Sequence, residues 1–411
     1  MKKQAEIVVI GAGPSGSIAA SLLQKMGHQV VVLEKDRFPR FSIGESLLPQ
    51  CMEFIELAGM TDVVSAEKFQ LKNGAAFACG KKYGSFDFSE KYTAGPGTTF
   101  QVLRSRFDQV LADKAVKQGV NIHYGEKITD VSIDSSGLSQ LTIENESGGK
   151  STLTAKYLLD ASGFGRVLPR LLDLELPSEF PIRQSVFTHI KDNICDGHFD
   201  RNKILIVIHP QYDDVWYWLI PFNNGRCSLG VVSSTTFFDR FTGKSNLEII
   251  REAIADSPNL SPLLSNSCFD TPVQMIKGYS GNVTSLWGKG FALLGNSGEF
   301  LDPIFSSGVT IAMKSATLAA PLVSRQLRGG KVDWETEYSQ TLRTGTDTFR
   351  AYVNNWYNGS LKQIIFADNH SPAVREMVCS IFAGYAWDTR NPFVQEPEKR
   401  LKILARLCTV V

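Results

Sequence analysis

The chain has 411 residues, of which 43 are Lys or Arg and 42 are Asp or Glu, so its formal net charge is +1. Hydrophobic residues make up 43% and charged residues 21%, an ordinary composition for a globular protein of two to three domains. The near-neutral charge excludes a polycationic nucleic-acid binder. No apolar run reaches the roughly 18 residues that a membrane span needs.

Cysteine and histidine usage gives no sign of a disulfide framework or a metal site. The seven Cys residues form no CxxC pair, and the six His residues have no metal-ligand spacing. The apolar run from Ile7 to Ile10 is too short for the core of a secretory signal. We therefore expect no metal and a cytoplasmic protein.

Residues 5–34 predict a βαβ unit with a glycine-rich turn. The turn Gly11-Ala12-Gly13-Pro14-Ser15-Gly16 lies between a buried strand and a helix, and Glu34 ends the next strand. In this GxGxxG fingerprint the first Gly allows a tight turn, the second lets the backbone approach a pyrophosphate, and the third allows close helix–strand packing. Glu34, which Lys35 follows, is placed to bind a ribose. The fingerprint alone does not distinguish NAD from FAD.

Later segments return to the same core. Buried strands are predicted at 157–165 and 291–294, a helix at 106–119, β-rich stretches at 72–103 and 180–235, and a helix from about Val309. The predicted fold is α/β with an α+β substrate layer: a Rossmann-like nucleotide-binding domain interrupted by a mixed β-sheet, then a helical cap. The predicted boundaries are 1–75, 100–180 and 275–330 for the nucleotide domain, 76–99 and 181–274 for the β-rich domain, and 331–411 for the cap.

Three later motifs carry a resemblance to a known family. They are Arg104-Ser105-Arg106-Phe107-Asp108, Asp160-Ala161-Ser162-Gly163, and Gly295-Asn296-Ser297-Gly298-Glu299-Phe300-Leu301-Asp302-Pro303. The sequence resembles the FAD-dependent oxidoreductases that include aromatic hydroxylases, geranylgeranyl reductases and flavin-dependent halogenases. The resemblance implies FAD as cofactor. The cofactor-binding residues that it and the fingerprint indicate are Gly11, Gly13, Pro14, Ser15, Gly16, Glu34, Lys35, Arg40, Gly44, Glu45, Ser46, Arg104, Asp160, Gly163, Gly295, Asn296, Asp302 and Gly308.

The third motif departs from the family pattern. The family usually has Asp where this chain has Asn296, which can still form hydrogen bonds but carries no charge. We therefore expect FAD to bind here without a charged partner for its ribityl hydroxyl.

The segment 38–49, which reads FPRFSIGESLLP, points past the general family. It is similar to the FPRxxxGESLLP stretch of flavin-dependent halogenases and their close relatives, and it contains Arg40, Gly44, Glu45 and Ser46. The alternative is that this segment is a flavin-flanking loop that shapes the pocket whatever reaction the flavin carries out.

A lysine is the candidate catalytic residue. The segment Phe69–Phe77 resembles the halogenase segment that carries the catalytic lysine, which makes Lys72 the candidate. An amine there could hydrogen-bond hypohalous acid or become a haloamine and present electrophilic halogen to an aromatic ring. The alternative is a surface lysine in a hairpin that also carries Lys68, Lys81 and Lys82.

Two further segments resemble halogenase motifs. In Phe305-Ser306-Ser307-Gly308-Val309 the halide candidates are the backbone N–H groups of Ser307 and Gly308, which could instead hold flavin O2 or water. Tryptophan halogenases place a Glu where Phe305 stands, so the resemblance favours phenol or pyrrole substrates. Trp216-Tyr217-Trp218-Leu219-Ile220-Pro221 is similar to the WxWxIP motif, and with Phe305 its Trp216 and Trp218 are expected at the substrate pocket. Because they alternate in a strand, the two Trp could equally be sheet core.

The sequence therefore predicts an FAD-dependent oxidoreductase that uses reduced FAD and O₂ to oxidise halide and modify an electron-rich aromatic ring. The alternatives are a dehydrogenase or reductase of an isoprenoid or polyene, an aromatic hydroxylase, and a flavin-bound sensor with a degenerate site. The expected partners are an aromatic or apolar small molecule and a separate flavin reductase or carrier protein.

Overall fold

The N-terminal strand lies in the middle of a sheet with parallel strands, which we call the nucleotide sheet. This protein is described by a computed structural model for residues 3–195, 197–367 and 371–409. Lys3–Ile10 pairs in parallel with Val30–Glu34 and with Lys150–Asp160. Parallel strands continue outward with Asn121–Tyr124 on one side and Phe291–Leu293 on the other. Antiparallel strands complete the sheet: Glu126–Ile133, Ser139–Asn145 and Trp287–Gly288.

The central strand is buried on both faces, as its run of β-branched residues predicts. Ile7, Val8 and Val9 have no exposed surface. The glycine turn and the motif at Asp160 follow the carboxyl ends of neighbouring parallel strands, so both motifs lie at one edge of the sheet. The fold thereby brings together segments that are about 150 residues apart in sequence.

A second sheet of seven strands, the seven-stranded sheet, packs over that edge. Its strands lie within residues 74–87 and 183–277. The sequence predicted the β-rich domain at residues 76–99 and 181–274. In sheet order they are Gln274–Lys277, Arg183–Lys191, Arg226–Ser234, Trp216–Pro221, Lys203–Ile208, Gly74–Cys79 and Lys82–Asp87. One face carries Trp216 and Trp218, which join the main core, and the other carries Tyr217, which joins a separate core.

Helices cover the nucleotide sheet and form most of the C-terminal region. The helix after the glycine turn begins at Pro14, and the helix predicted from about Val309 begins at Ser307. The α-helices are Pro14–Lys25, Cys51–Leu57, Thr61–Ala66, Arg104–Lys117, Val167–Leu171, Thr235–Phe238, Asn246–Ala255, Leu260–Leu263, Ser307–Leu327, Thr341–Tyr357, Ser360–Ile365, Pro372–Phe382, Pro392–Gln395 and Pro397–Thr409. Two small ribbons pair Gln70–Lys72 with Thr99–Gln101 and Glu175–Leu176 with Asn282–Val283.

The predicted fold class is confirmed: a nucleotide-binding α/β unit, an inserted mixed sheet and a helical C-terminal region. The residue boundaries of the three predicted domains stay a prediction. Within the described part of the chain, no helix combines the length and the apolar character needed to cross a membrane. The cytoplasmic location also stays a prediction.

Candidate functional site

A single cleft of about 620 Å³ runs between the carboxyl edge of the nucleotide sheet and the seven-stranded sheet. Most of the residues that the sequence indicates line this cleft. They are Gly11, Gly13, Pro14, Ser15, Glu34, Lys35, Arg40, Gly44, Glu45, Ser46, Arg104, Gly163, Trp216, Trp218, Asn296 and Gly308. A second group of indicated residues lies behind the walls: Gly16, Lys72, Asp160, Gly295, Asp302, Phe305 and Ser307.

The glycine turn is shaped by close backbone approaches. Gly11 has φ +96°, in the left-handed region that favours glycine, and a Cβ there would lie 2.7 Å from the Ala161 carbonyl oxygen. A Cβ on Gly16 would lie 1.9 Å from the Gly11 carbonyl oxygen. Gly13 is different, because its Cβ would meet Arg40 Nη2 at an ordinary 3.5 Å. Gly11 and Gly16 are therefore required by the fold, whereas Gly13 leaves room on the cleft side.

Glu34 fastens the turn to the second strand. Its Oε2 accepts a hydrogen bond from Ala12 N at 2.9 Å, and its Oε1 accepts one from Asp36 N at 3.0 Å. Arg40 lies beside it, with Nη2 at 3.6 Å from Glu34 Oε2 and Nη1 at 3.3 Å from Asp108 Oδ2. This places a cation next to the N-terminus of helix Pro14–Lys25, where phosphates bind to unpaired N–H groups.

Arg104 shapes the loop that carries the GES sequence. Its guanidinium forms a two-bond ion pair with Asp108, at 2.7 and 3.0 Å. Its Nη1 donates to the carbonyls of Ile43 and Gly44, at 2.6 and 3.3 Å. Arg104 lines the cleft. Its hydrogen bonds to Ile43 and Gly44 hold the backbone of the loop in place.

Asp160 joins two loops from behind the cleft wall. Its Oδ1 accepts from Ser162 N and Ser297 Oγ, and its Oδ2 accepts from Leu168 N at 2.7 Å. The side chain is fully buried, and burial raises the pKa of the carboxyl group. Asp160 thus connects the second and third flavin-motif loops.

The third motif packs tightly on helix Ser307–Leu327. Gly295 has φ +54°, and its Cβ would lie 2.7 Å from Ala312 Cβ, so only Gly fits there. Asn296 lines the cleft next to it. Among the residues that the structure describes, Asn296 Oδ1 is buried and has no hydrogen-bond partner. An oxygen in this state is what a ribityl hydroxyl donor would satisfy.

The start of that helix faces the cleft. Ser306, at φ +55°, turns the chain into the helix, and Ser306, Gly308 and Val309 line the cavity. The first N–H groups of a helix have no partner within it, so this turn offers donors to an anion or a carbonyl. Phe305 points the other way, where its ring stacks on Phe382 with the centroids 5.5 Å apart.

Lys72 is buried directly behind the cleft wall. Its side chain has no exposed surface, and Nζ donates to Ser46 Oγ at 2.7 Å and to the Leu47 carbonyl at 2.8 Å. Ser46 itself lines the cleft. The Phe88 ring lies 5.3 Å from Nζ. Burial lowers the pKa of the Lys72 amine to about 7, so close to half of it is neutral at pH 7.

One pair and one chain of three side chains beside the cleft were not foreseen. Glu45 Oε1 lies 2.7 Å from His189 Nε2. On the far side, Trp216 Nε1 donates to the Tyr357 hydroxyl at 3.0 Å, and that hydroxyl donates to Asp302 Oδ2 at 2.9 Å.

Burial raises the pKa of Asp302 to about 6. The Tyr357 hydroxyl therefore links a buried carboxyl group to the indole of Trp216 in the cleft wall.

The sequence analysis missed the residues of strand Arg183–Lys191. Arg183, Ser185 and His189 lie on one face of it, and Ser185 lines the cleft. The i, i+2 spacing of polar residues in a β-branched run was the available signal. It says only that they share a face, not that the face meets a cleft.

Comparison with known proteins agrees with this geometry. The FAD binding domain family model matches residues 4–276, and the tryptophan halogenase model matches residues 209–364. The flavin-dependent halogenase armH1 of Armillaria mellea is 30% identical over 83% of this chain and 69% of its own length. The 1H-pyrrole-2-carbonyl-(peptidyl-carrier protein) brominase of Pseudoalteromonas luteoviolacea is 30% identical over 97% of this chain and 91% of its own length.

The chain belongs to the flavin-dependent halogenase family. Members of this family are FAD-dependent enzymes of the oxidoreductase class, and so is this protein. A solved structure of a flavoprotein/dehydrogenase from Cytophaga hutchinsonii is also similar, at 42% identity and a TM-score of 0.94, with 99% of each chain covered. The FAD cofactor predicted from the sequence is confirmed.

The cleft of this halogenase-family member fits FAD residue by residue. Gly13 and the helix that follows it suit the pyrophosphate, Glu34 suits the adenosine ribose, and Asn296 Oδ1 suits the ribityl chain. FAD held by these residues would have its flavin ring towards Trp216, Trp218 and the start of helix Ser307–Leu327.

Proposed function

We propose that this protein halogenates an electron-rich aromatic ring and that Lys72 delivers the halogen. One observation carries the proposal. Lys72 is an amine without exposed surface, held by Ser46 Oγ and the Leu47 carbonyl directly behind the wall of the FAD cleft, with its pKa lowered to about 7.

When bound, reduced FAD would supply the two electrons and two protons with which O₂, halide and one further proton give hypohalous acid and water. The neutral Lys72 amine keeps its two hydrogens in the bonds to Ser46 and Leu47 and leaves its lone pair free. That lone pair either accepts a hydrogen bond from hypohalous acid or attacks its halogen. In the second case the N–halogen bond forms, the O–halogen bond breaks, and one amine proton joins the departing hydroxide to give water. The haloamine then passes the halogen to a ring carbon, and the ring proton returns the lysine to its amine form.

Other residues supply positioning. We propose that the N–H groups of Ser307 and Gly308 bind halide at the start of helix Ser307–Leu327, where the helix dipole favours an anion. Trp216 and Trp218 line the cleft side by side, with ring centroids 6.0 Å apart, and they exclude water from the flavin-facing wall. Phe305 belongs to the aromatic cluster between this loop and the C-terminal helices.

We also propose the partners. Since the nucleotide fingerprint at Gly11–Gly16 is taken by FAD, a separate reductase would supply reduced FAD. The relative from Pseudoalteromonas luteoviolacea is named for a pyrrole on a carrier protein, which makes a carrier-bound substrate the alternative to a free one.

The test supplies reduced FAD, O₂ and bromide with a panel of phenols and pyrroles. The wild-type protein should give brominated products detectable by mass spectrometry. Lys72→Met should lower product formation by at least about a hundredfold while FAD binding is kept. Lys81→Met, a change at an exposed lysine of the neighbouring hairpin, should act like the wild type. Equal activity in all three proteins would remove Lys72 from the mechanism.

A second candidate function rests on the similarity to the Cytophaga hutchinsonii flavoprotein/dehydrogenase. In a dehydrogenase or reductase, Lys72 would be a buried structural residue. Substrate-dependent flavin reduction that needs neither O₂ nor halide, and that survives Lys72→Met, would favour this function. Oxygenated but unhalogenated products would instead indicate a hydroxylase.

A further inference from the structure

Two polar side chains, Ser185 and Tyr279, lie on the wall of the cleft that the seven-stranded sheet provides, and Arg183 is buried beside them. Arg183 and Ser185 are two residues apart on strand Arg183–Lys191, so both point to the same face. Gly278 N donates to the Arg183 carbonyl at 2.9 Å, which brings Tyr279 beside the start of that strand. Ser185 and Tyr279 both line the cleft.

None of the three is satisfied by the protein. Within residues 3–195, 197–367 and 371–409, Arg183 Nη1, Ser185 Oγ and the Tyr279 hydroxyl are buried and have no hydrogen-bond partner. Arg183 is only 8% exposed and Ser185 only 2%. Buried polar groups are nearly always paired, so three such groups at one cleft wall indicate a ligand.

Among the described residues Arg183 also lacks a direct ion pair, although its charge acts on the carboxylates of Asp214 and Asp302. In the described part of the chain, Arg183 has no carboxylate within 4 Å. Its guanidinium instead stacks on the Tyr357 ring, with Cζ 3.3 Å from the centroid. The nearby Asp302 already accepts bonds from Ile304 N and the Tyr357 hydroxyl. The cluster therefore offers hydrogen-bond donors and a buried positive charge, and such surroundings select an anionic ligand.

We propose that Arg183, Ser185 and Tyr279 bind the carboxylate of an aromatic acid substrate. The aromatic part of this inference rests on the proposed function, and the acid group goes beyond it. A guanidinium fork matches the two oxygens of a carboxylate, whereas a halide uses one point of contact. The indoles of Trp216 and Trp218 line the same cleft and supply an apolar surface for the ring.

The experiment measures ligand binding without turnover, so its result does not depend on whether the protein halogenates the ligand. The protein is loaded with oxidised FAD and titrated with 4-hydroxybenzoate or with its neutral analogue 4-hydroxybenzyl alcohol, with heat or the flavin absorbance as signal. Arg183→Met keeps the packing volume and removes the charge. Arg240→Met is the matched control, because Arg240 packs against Tyr212 and Phe237 at the other core of the sheet.

We expect Arg183→Met to weaken 4-hydroxybenzoate binding by about tenfold or more and to leave binding of the neutral analogue unchanged. Tyr279→Phe should show the same selectivity with a smaller loss, and it gives the readout if Arg183→Met does not fold. Arg240→Met should bind both probes like the wild type.

Three results would overturn the proposal. If the variants weaken both probes equally, the cluster is structural. If Arg183→Met abolishes bromide binding and spares the carboxylate, the cluster is a halide site. If FAD occupancy falls while the two probes still differ as in the wild type, the three groups bind the flavin.

Discussion

The two ends of the cleft are built on opposite principles. At the nucleotide end, Gly11, Gly16 and Glu34 are fixed by contacts with the protein backbone. At the other end, the Lys72 amine and the Arg183 guanidinium are buried without a carboxylate partner at ion-pair distance in the part of the chain that the structure describes. The glycine turn at the nucleotide end is held in shape by the protein itself, whereas at the other end Arg183 Nη1, Ser185 Oγ and the Tyr279 hydroxyl are left without hydrogen-bond partners among the described residues.

This difference separates recognition from chemistry. Backbone N–H groups and tight turns suit a cofactor that stays in place and whose phosphates need fixed donors. A buried amine with a lowered pKa suits a reaction step, because burial favours its neutral form. We expect substitutions at the nucleotide end to change FAD binding and substitutions at the other end to change the rate of the reaction or the binding of substrate.

The largest effect should come from Gly16→Ala. The new Cβ would lie 1.9 Å from the Gly11 carbonyl oxygen, so the backbone must move and both folding stability and FAD binding should be lost. Gly13→Ala makes only a 3.5 Å contact with Arg40, so it should keep the thermal stability of the apoprotein and weaken FAD by about tenfold or more. Thermal unfolding and FAD titration of both variants check this. Equal losses of stability would show that both glycines serve packing alone.

Tyr357→Phe should reduce stability at the other end. It leaves Trp216 Nε1 and Asp302 Oδ2 without their shared partner, which costs about 1–3 kcal/mol of unfolding free energy. The pKa of Asp302 is about 6, so its carboxyl group is charged above pH 6 and the loss should be larger at pH 8 than at pH 5. Chemical denaturation at both pH values measures it. Tyr83→Phe, at a residue 63% exposed, is the control and should change little.

The pH dependence of halogenation should follow the Lys72 amine. With a pKa of about 7, the neutral amine falls roughly tenfold between pH 8 and pH 6, and the rate should fall with it. The measurement is product formation with saturating reduced FAD, beside FAD binding over the same range. A rate that rises towards pH 6 would mean that the protonated lysine acts, and a flat rate would mean that its protonation state does not control the reaction.

The smallest effect should come from Asn296→Asp, where the two ends meet. A charged acceptor beside the start of helix Ser307–Leu327 should tighten FAD about threefold, because charge-assisted hydrogen bonds and the helix dipole both favour it. Asn296→Leu should weaken FAD instead. Competition titrations against the wild-type protein measure the FAD affinity of both variants. Identical FAD affinities for the wild type, Asn296→Asp and Asn296→Leu would mean that Asn296 does not contact the ribityl chain.

Local sequence was sufficient for the nucleotide end. A β-branched strand, a GxGxxG turn, a helix and a closing acid lie within residues 5–34, and the hydrogen bond from Ala12 N to Glu34 closes the turn inside that unit. The later motifs added the FAD cofactor and the family, both of which are confirmed. The sequence also indicated Lys72, although not whether it is on the surface or buried.

Only the tertiary structure decided the chemistry-bearing end. The sequence groups Lys72 with lysines at 68, 81 and 82, but strand Gln70–Lys72 pairs with Thr99–Gln101 beneath the loop at Ser46. Lys81 and Lys82 lie instead on the hairpin of Gly74–Cys79 and Lys82–Asp87. Phe305 turns away from the cleft because the C-terminal helices offer it an aromatic cluster. Arg183 and Tyr279 are 96 residues apart and are brought together beside the cleft through strand pairing. Such contacts depend on long-range packing, which residue spacing along the chain does not reveal.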